Sequence, residues 1–219
     1  MENAVAIAYS LAVFDLDGTL VDSASDIAES VNRTLEEWSL PRVEEPAVLG
    51  WIGEGARTLL QHALRHAGST LEVDAVFPGF EKHYGDCLLR SPRVYPGVRE
   101  TLDALRRANV ALAVCTNKPQ RFIRPLLQAL ALEDYFECIV GGDTLPERKP
   151  SAMPLLHLVG HFGFSPAQCL MVGDSETDLL TAQAAGVSMA LVTYGYLRGF
   201  DPHSVQGVRV MDDLRELLR

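Results

Sequence analysis

Two aspartates, two positions apart, directly follow a short apolar run near the start of the chain, at Asp15 and Asp17. The run at 11–14 has the character of a strand that is buried on both faces of a parallel sheet. Side chains two positions apart in an extended chain point to the same side, so both carboxylates can face one site just beyond the strand. Carboxylates this close repel each other unless a cation lies between them. They therefore suit a hard ion such as magnesium.

Polar groups follow the later apolar runs in the same way. They are Thr116-Asn117-Lys118, Arg148-Lys149-Pro150, Gly173-Asp174-Ser175-Glu176-Thr177-Asp178 and Thr193-Tyr194-Gly195-Tyr196. In open parallel sheets, ligands bind at the carboxyl ends of the strands. Each group alone also fits a turn, a helix cap or a solvated charge. Together they predict one rim that carries carboxylates, a hydroxyl, an amide and a lysine.

The elements that must position these groups alternate along the second part of the chain. Strands are predicted at 111–115, 138–140, 170–172 and 189–192. Helices are predicted at 98–108, 119–131, 151–161 and 177–185, with a closing helix at 212–218. This alternation predicts an α/β fold, a doubly wound parallel sheet with helices on both of its faces.

The stretch between 22 and 91 interrupts this alternation with an almost purely helical pattern. Helices are predicted at about 22–39 and 74–89, and Pro41 and Pro46 indicate a loop between helical segments. We therefore expect residues 22–91 to form an inserted all-helical domain and residues 1–21 and 92–219 to form the core domain.

The composition excludes several classes of protein. The chain has 219 residues, a net charge of −10 and no apolar run of membrane-spanning length, so we expect neither nucleic-acid binding nor membrane association. The first ten residues hold no basic residue and no long apolar core, which argues against a secretory signal. The four cysteines show no Cys-x-x-Cys spacing and indicate a reducing compartment. We expect a cytoplasmic protein, either a monomer or a homodimer.

The motifs together resemble the haloacid dehalogenase superfamily of phosphohydrolases. Four motifs carry the resemblance, and they are Asp15-Leu16-Asp17-Gly18-Thr19, Thr116-Asn117, Lys149-Pro150, and Gly173-Asp174 through Asp178. The resemblance covers nearly the whole chain, and the helical stretch at 22–91 is similar to the cap domain of one branch of the superfamily.

This resemblance implies a role for each motif residue. Asp15 would be the nucleophile that forms an aspartyl-phosphate. Asp17 would protonate the leaving oxygen and then activate water. Thr116, the amide at Asn117 and Lys149 would bind the phosphate, and Lys149 would also offset its charge.

The same resemblance implies a magnesium site. Mg²⁺ would be held by Asp15, by Asp174 and by the backbone carbonyl of Asp17. Asp178 would lie outside the set of metal ligands and would orient Lys149 or a metal-bound water.

Within the superfamily, the chain is most similar to the bacterial phosphoglycolate phosphatases. The likeness lies at 51–56, 116–119, 141–143 and 193–196. It implies a small phosphorylated metabolite, 2-phosphoglycolate, as the substrate. Phosphatases of sugar phosphates such as N-acetylmuramate 6-phosphate share two of these runs, and a β-phosphoglucomutase-like enzyme is a further alternative.

A substrate with a carboxylate needs a cation near the phosphate site. Lys118, Arg57 and Arg121 are candidates by position, and the hypothesis is that Lys118 or Arg57 makes this contact. A binding-module alternative is a receiver domain that is phosphorylated on aspartate. Such domains lack both the Asp-x-Asp-Gly-Thr run and an inserted helical domain.

Overall fold

The computed structural model of the protein describes residues 8–219. Residues 1–7 lie outside the described residues. They belong to the predicted core domain and to the ten residues in which we expect no secretory signal. The strands are β1 (Leu11–Phe14), β2 (Val21–Asp22), β3 (Arg93–Val94), β4 (Ala111–Cys115), β5 (Cys138–Val140), β6 (Cys169–Gly173), β7 (Ser188–Val192) and β8 (Arg209–Met211). Six of these strands form one parallel sheet in the order β5-β4-β1-β6-β7-β8.

The central strand β1 is apolar at every position because both of its faces are covered. All four of its side chains are buried. Leu11 and Val13 belong to one apolar cluster, whereas Ala12 and Phe14 belong to a second cluster. This alternation follows from the two-residue period of a strand. The sheet therefore lies between two apolar layers, and the predicted α/β fold is confirmed.

The helices are α1 (Ala24–Glu37), α2 (Glu45–Leu49), α3 (Ala56–His66), α4 (Val73–Cys87), α5 (Val98–Arg107), α6 (Gln120–Ala129), α7 (Met153–His161) and α8 (Glu176–Ala185). The first four follow one another along the chain, and α1 packs against α4. Buried residues of α1 such as Ile27 and Val31 and of α4 such as Phe80 belong to one continuous cluster with the sheet. In residues 8–219 we find no helix whose length and apolar character would let it cross a bilayer.

The chain leaves the sheet and returns to it along a short antiparallel ribbon. In this ribbon β2 pairs with β3, with Val21 opposite Val94. Just beyond it, the Asp26 carboxylate accepts hydrogen bonds from the Ser91 backbone N–H at 3.1 Å and from its hydroxyl at 2.7 Å. The two ends of the helical segment are therefore joined next to the sheet.

The structure differs from the sequence prediction at several short elements. The predicted closing helix at 212–218 is a shorter 3₁₀ helix at Leu214–Leu218, and the strand β8 that precedes it, the sixth strand of the sheet, was not predicted. The strand is short and lies at the sheet edge with only Met211 buried, so it has little apolar signal. The ribbon strands β2 and β3 have two residues each and also escaped prediction. Helix α2 occupies part of the predicted loop. Pro46 does not prevent this helix, because it lies in the first turn, where its missing backbone N–H breaks no helical hydrogen bond.

Candidate active site

Asp15 lies at the carboxyl end of β1, where the order of the strands reverses. Its neighbours in the sheet are β4 on one side and β6 on the other, and its backbone N–H donates to the Val172 carbonyl at 2.9 Å. The Lys149 ammonium lies 2.9 Å from Asp15 Oδ1. This buried oxygen accepts from no other donor among residues 8–219. One oxygen of the Asp15 carboxylate is therefore buried beside the positive charge of Lys149.

Three carboxylates converge at this point. Oxygens of Asp15, Asp174 and Asp178 lie within 4.8 Å of one another, and all three residues are buried. Burial raises the pKa of Asp15 to about 6, against the opposing charge of Lys149. Burial, together with the charges of Asp178 and Asp15, raises the pKa of Asp174 to about 8. The cluster therefore holds more negative charge than its one ammonium offsets.

Asp174 is fixed by donors from two loops. The Thr19 hydroxyl donates to Asp174 Oδ1 at 2.8 Å, and the Tyr196 backbone N–H donates to Oδ2 at 2.7 Å. Gly18 packs against the same carboxylate with φ +91, and a Cβ at Gly18 would lie 2.3 Å from Asp174 Oδ2. The position therefore requires glycine both for its backbone conformation and for the close approach.

Asp178 is committed to protein partners. Its Oδ1 accepts from the Lys149 ammonium at 2.6 Å, and its Oδ2 accepts from the Ser175 N–H at 3.1 Å and hydroxyl at 2.6 Å at the start of α8. Burial alone would lower the pKa of Lys149, but the charges of Asp15 and Asp178 outweigh it and raise it. Asp178 thus holds the lysine charged and pointed at Asp15.

The arrangement fits a divalent cation. Hard cations take carboxylate oxygens, and Asp15 and Asp174 supply them. A cation here would also offset the charge that raises the pKa of both groups. The Asp17 carboxylate is not part of this cluster. Its predicted contribution, through the backbone carbonyl, stays a prediction.

The Asp17 side chain points to a different set of partners. Lys118 Nζ lies 2.9 Å from Asp17 Oδ1 and 3.0 Å from Oδ2, and the Ser23 hydroxyl donates to Oδ1 at 2.6 Å. The same ammonium donates to the Tyr84 hydroxyl of α4. Burial alone would lower the pKa of Lys118, but Asp17 and Tyr84 outweigh it and raise it. Lys118 is therefore a buried cation between the Asp17 loop and the helical segment.

Thr116 and Asn117 lie directly beyond β4 and are both buried. The Thr116 hydroxyl oxygen accepts from the Lys118 backbone N–H at 3.2 Å. The Asn117 side-chain amide donates to the carbonyls of Gly53 and Lys149, each at 3.0 Å. The Asn117 amide group thus connects the loop before α3 to the strand ends.

A cleft of about 490 Å³, counting the solvent at its mouth, opens between the strand ends and the helical segment. Its polar lining comes from Asp15, Asp17, Thr116, Asn117, Lys118 and Tyr84. The opposite wall is apolar and includes Ile27, Ile52, Leu59 and Phe80. Among the described residues that line it, Lys118 carries the one positive charge.

The structure separates the three candidates for a carboxylate contact. Arg57 pairs with Asp74 on the surface of the helical segment, and Arg121 pairs with Glu81. Neither arginine lines the cleft, whereas Lys118 does.

Sequence reasoning missed Ser23, Tyr84 and Tyr196, whose contacts complete the site. Tyr84 lies in the apolar stripe of α4. The neighbouring sequence does not indicate a role for it, because only the tertiary fold brings it against Lys118, the partner of Asp17. Tyr196 belongs to the run at 193–196 that already stood out. Its backbone N–H donates to Asp174, and its hydroxyl accepts from the Ser23 N–H and donates to Asp22, contacts that depend on the fold and not on local spacing.

Comparisons with known proteins identify the family of the chain. The model of the family "Haloacid dehalogenase-like hydrolase" matches residues 12–192. A phosphoglycolate phosphatase of Haemophilus influenzae is 43% identical over 96% of this chain and 97% of its own length. Phosphoglycolate phosphatase 1 of Pseudomonas aeruginosa is 43% identical over 95% of this chain and 78% of its own length. The crystal structure of a predicted phosphoglycolate phosphatase from Haemophilus somnus 129PT superposes with a TM-score of 0.91, at 38% identity, over 96% of this chain and 97% of that one. The chain therefore belongs to the haloacid dehalogenase-like hydrolases.

Proposed function

We propose that the protein is a magnesium-dependent phosphatase that hydrolyses 2-phosphoglycolate to glycolate and phosphate through an aspartyl-phosphate on Asp15. The observation that carries the proposal is the convergence of the Asp15 carboxylate with the Lys149 ammonium and the Asp174 carboxylate at the carboxyl end of β1. The names of the relatives support the substrate.

In the first step, an Asp15 oxygen attacks phosphorus and the bond from phosphorus to the ester oxygen breaks. The leaving oxygen takes a proton from Asp17, which becomes the carboxylate. In the second step, Asp17 takes a proton from water, and the water oxygen attacks phosphorus. The bond from phosphorus to Asp15 then breaks, which releases phosphate and restores both side chains.

The repulsion between a carboxylate and a phosphate dianion is the main obstacle to this chemistry. Lys149, held by Asp178, lies where it would offset the charge of the phosphate. The Thr116 hydroxyl and the backbone N–H of Asn117 would bind phosphate oxygens. Mg²⁺, held by Asp15, Asp174 and the backbone carbonyl of Asp17, would neutralise further negative charge there when bound.

The cleft supports a small substrate. Its apolar wall offers few partners for the hydroxyls of a sugar, and the Asn117 side-chain amide is already bonded to two carbonyls. These features favour 2-phosphoglycolate over N-acetylmuramate 6-phosphate or glucose 1-phosphate.

We further propose that residues 22–91 act as a cap domain on a core made of residues 1–21 and 92–219. The joined chain at β2 and β3 supports this division, and so does the position of the apolar wall, which belongs to the helical segment. A cap over the cleft would exclude bulk water during phosphoryl transfer.

Phosphate release from a panel of esters tests the proposed function. The panel holds 2-phosphoglycolate, N-acetylmuramate 6-phosphate, β-glucose 1-phosphate and pyrophosphate, each with magnesium and with a chelator. We expect release that requires magnesium and has its highest kcat/KM with 2-phosphoglycolate. A preference for a sugar phosphate would overturn the substrate, and release that persists in the chelator would overturn the metal requirement.

A further inference from the structure

Lys118 makes an unusual set of contacts for a cation in a phosphate-binding cleft. Its side chain is 2% exposed, and its ammonium lies almost equally far from the two oxygens of Asp17, at 2.9 and 3.0 Å. Its other contact is the hydroxyl of Tyr84. Asp15 is instead served by a second lysine, Lys149. The two aspartates of the motif therefore have separate ammonium partners.

Tyr84 is itself firmly placed. It is 3% exposed, stacks on Phe80 at 5.6 Å between ring centroids, and meets the edge of Phe122 at 4.8 Å. The Lys118 ammonium also lies 4.8 Å from the centre of the Tyr84 ring. The tyrosine belongs to α4 of the helical segment, whereas Lys118 follows β4 of the sheet. Tyr84 of the helical segment is thus linked to Asp17 through Lys118.

The Asp17 carboxylate is held by side chains that lie outside the motif at 15–19. The side chain is 12% exposed, and its described hydrogen-bond donors are Lys118 and the Ser23 hydroxyl. Ser23 lies just beyond β2, where the chain enters the helical segment. Both donors therefore depend on how the helical segment sits against the sheet.

We propose that Lys118 is a positioning residue that holds the Asp17 side chain in line for proton transfer to the leaving oxygen, and that Tyr84 of α4 holds Lys118 in place. This inference deepens the proposed function and rests on it, because it assigns a support to the residue that transfers the proton. An ammonium with contacts to both oxygens fixes the plane of the Asp17 side chain. A carboxylate has no proton to donate, so Asp17 must carry a proton when the ester bond breaks, and what Lys118 supplies is the fixed geometry that general acid catalysis requires. The hydroxyl of Tyr84 then makes the position of the proton donor depend on the position of α4.

Phosphate esters whose leaving groups differ in their need for a proton distinguish this positioning role from a role in substrate binding. Nitrophenolate leaves without protonation, whereas the alkoxide of glycerol 2-phosphate requires a proton. Neither of these esters carries a carboxylate on its leaving group. The variants are Lys118→Met and Tyr84→Phe, each measured for kcat and KM on p-nitrophenyl phosphate, glycerol 2-phosphate and 2-phosphoglycolate. Arg124→Met is the matched control, because Arg124 pairs with Glu133 on the exposed side of α6.

We expect Lys118→Met to lower kcat on glycerol 2-phosphate and on 2-phosphoglycolate by about 10- to 100-fold, and on p-nitrophenyl phosphate by less than about 3-fold. Tyr84→Phe keeps the ring and should show the same selectivity with a loss of about 3- to 10-fold. Arg124→Met should match the wild type on all three esters. Circular dichroism and thermal melting establish that each variant is folded, and Tyr84→Phe carries the test if Lys118→Met does not fold.

Equal losses of kcat on p-nitrophenyl phosphate and glycerol 2-phosphate would contradict the proposal, because a positioned acid matters only where a proton is needed. A loss confined to KM for 2-phosphoglycolate would make Lys118 a carboxylate-binding residue and would also overturn it. Unchanged kinetics in Tyr84→Phe would remove the link to α4. If the wild-type protein released phosphate from none of these esters, the proposed function itself would fail, which separates the two failures.

Discussion

Asp15 and Asp178 share one ammonium, that of Lys149, and the partners of the three clustered carboxylates decide what each can do. Asp178 has donors on both oxygens and serves to hold Lys149. Asp174 accepts one hydrogen bond on each oxygen, whereas the Lys149 ammonium is the one side-chain partner of the Asp15 carboxylate among residues 8–219. Asp178 is committed to the protein on both oxygens, which supports a positioning role for it, and Asp15 is the least committed of the three, which supports a reactive role.

The first prediction concerns Gly18, whose missing side chain makes room for Asp174. In Gly18→Ala the new Cβ would meet the Asp174 carboxylate at 2.3 Å, and the backbone there has φ +91. We expect a fall of about 1–3 kcal/mol in the free energy of unfolding, together with a loss of magnesium affinity. Urea denaturation and titration calorimetry with Mg²⁺ measure the two effects.

Gly68→Ala is the matched control for this variant. Gly68 has φ +70 and no atom within 4 Å of the position of a Cβ. It therefore reports the cost of the backbone conformation without a clash, and magnesium binding should not change. Equal magnesium affinity in both variants would show that Gly18 does not make room for a metal ligand.

At the scale of the elements, the helical segment is tied to the sheet at the ribbon of β2 and β3 and at the cleft. The Asp26 carboxylate of α1 receives the N–H and hydroxyl of Ser91. At the cleft, Asn117 donates to the Gly53 carbonyl. Arg198, beyond β7, also pairs with Glu54 in the loop before α3. The two ends of the segment are thus joined to each other, and its loop before α3 has polar contacts with the core.

The second prediction tests the connection at the ribbon. Asp26→Ala removes the acceptor of the Ser91 N–H and should lower the free energy of unfolding by about 1–3 kcal/mol, measured by urea denaturation. Asp74→Ala is the control on α4, because the Asp74 side chain is 82% exposed and its pair with Arg57 lies on the surface. A variant at Asp26 that is as stable as the variant at Asp74 would contradict this account.

The elements also show what the sequence could predict. The strand β1 was predicted because its burial is continuous, and the helix α8 was predicted because its burial is periodic. The motif residues at 15, 149 and 174 come together because the ends of the strands lie at the same edge of the sheet. The strand β8 was missed because only one of its three residues is buried. The contacts of Tyr84 with Lys118 depend on how α4 packs on the sheet, which local spacing does not encode.

At the scale of the whole molecule, the excess of acidic charge includes a buried cluster of carboxylates. The chain carries a net charge of −10, and three of its carboxylates lie together at the centre of the sheet edge. The free energy of unfolding must therefore depend on pH and on cations at this point.

The third prediction follows from the raised pKa of Asp15, about 6, and of Asp174, about 8, against a usual value of 3.8. Between about pH 4 and 8 the folded, metal-free protein binds more protons than the unfolded chain, so its free energy of unfolding falls as pH rises. Mg²⁺ requires the ionised carboxylates and should stabilise the protein more at pH 8 than at pH 5. At a concentration about 100-fold above its Kd, it should raise Tm by roughly 5–10 °C at pH 8.

Differential scanning calorimetry at both pH values, with magnesium and with a chelator, measures this effect. Asp174→Asn is the control and should lose most of the magnesium-dependent rise. A rise in Tm that is equal at pH 5 and pH 8 would show that the cation binds elsewhere.

The central claim is that Asp15 attacks the phosphate, and Asp15→Asn tests it most directly. The variant keeps the shape of the side chain and removes the charge of the nucleophile. Phosphate release from 2-phosphoglycolate, with saturating Mg²⁺, would be compared between the variant and the wild type after both are shown to be folded. We predict a loss of kcat of at least about 1,000-fold. A folded variant that retains a tenth of the wild-type kcat would contradict the covalent mechanism.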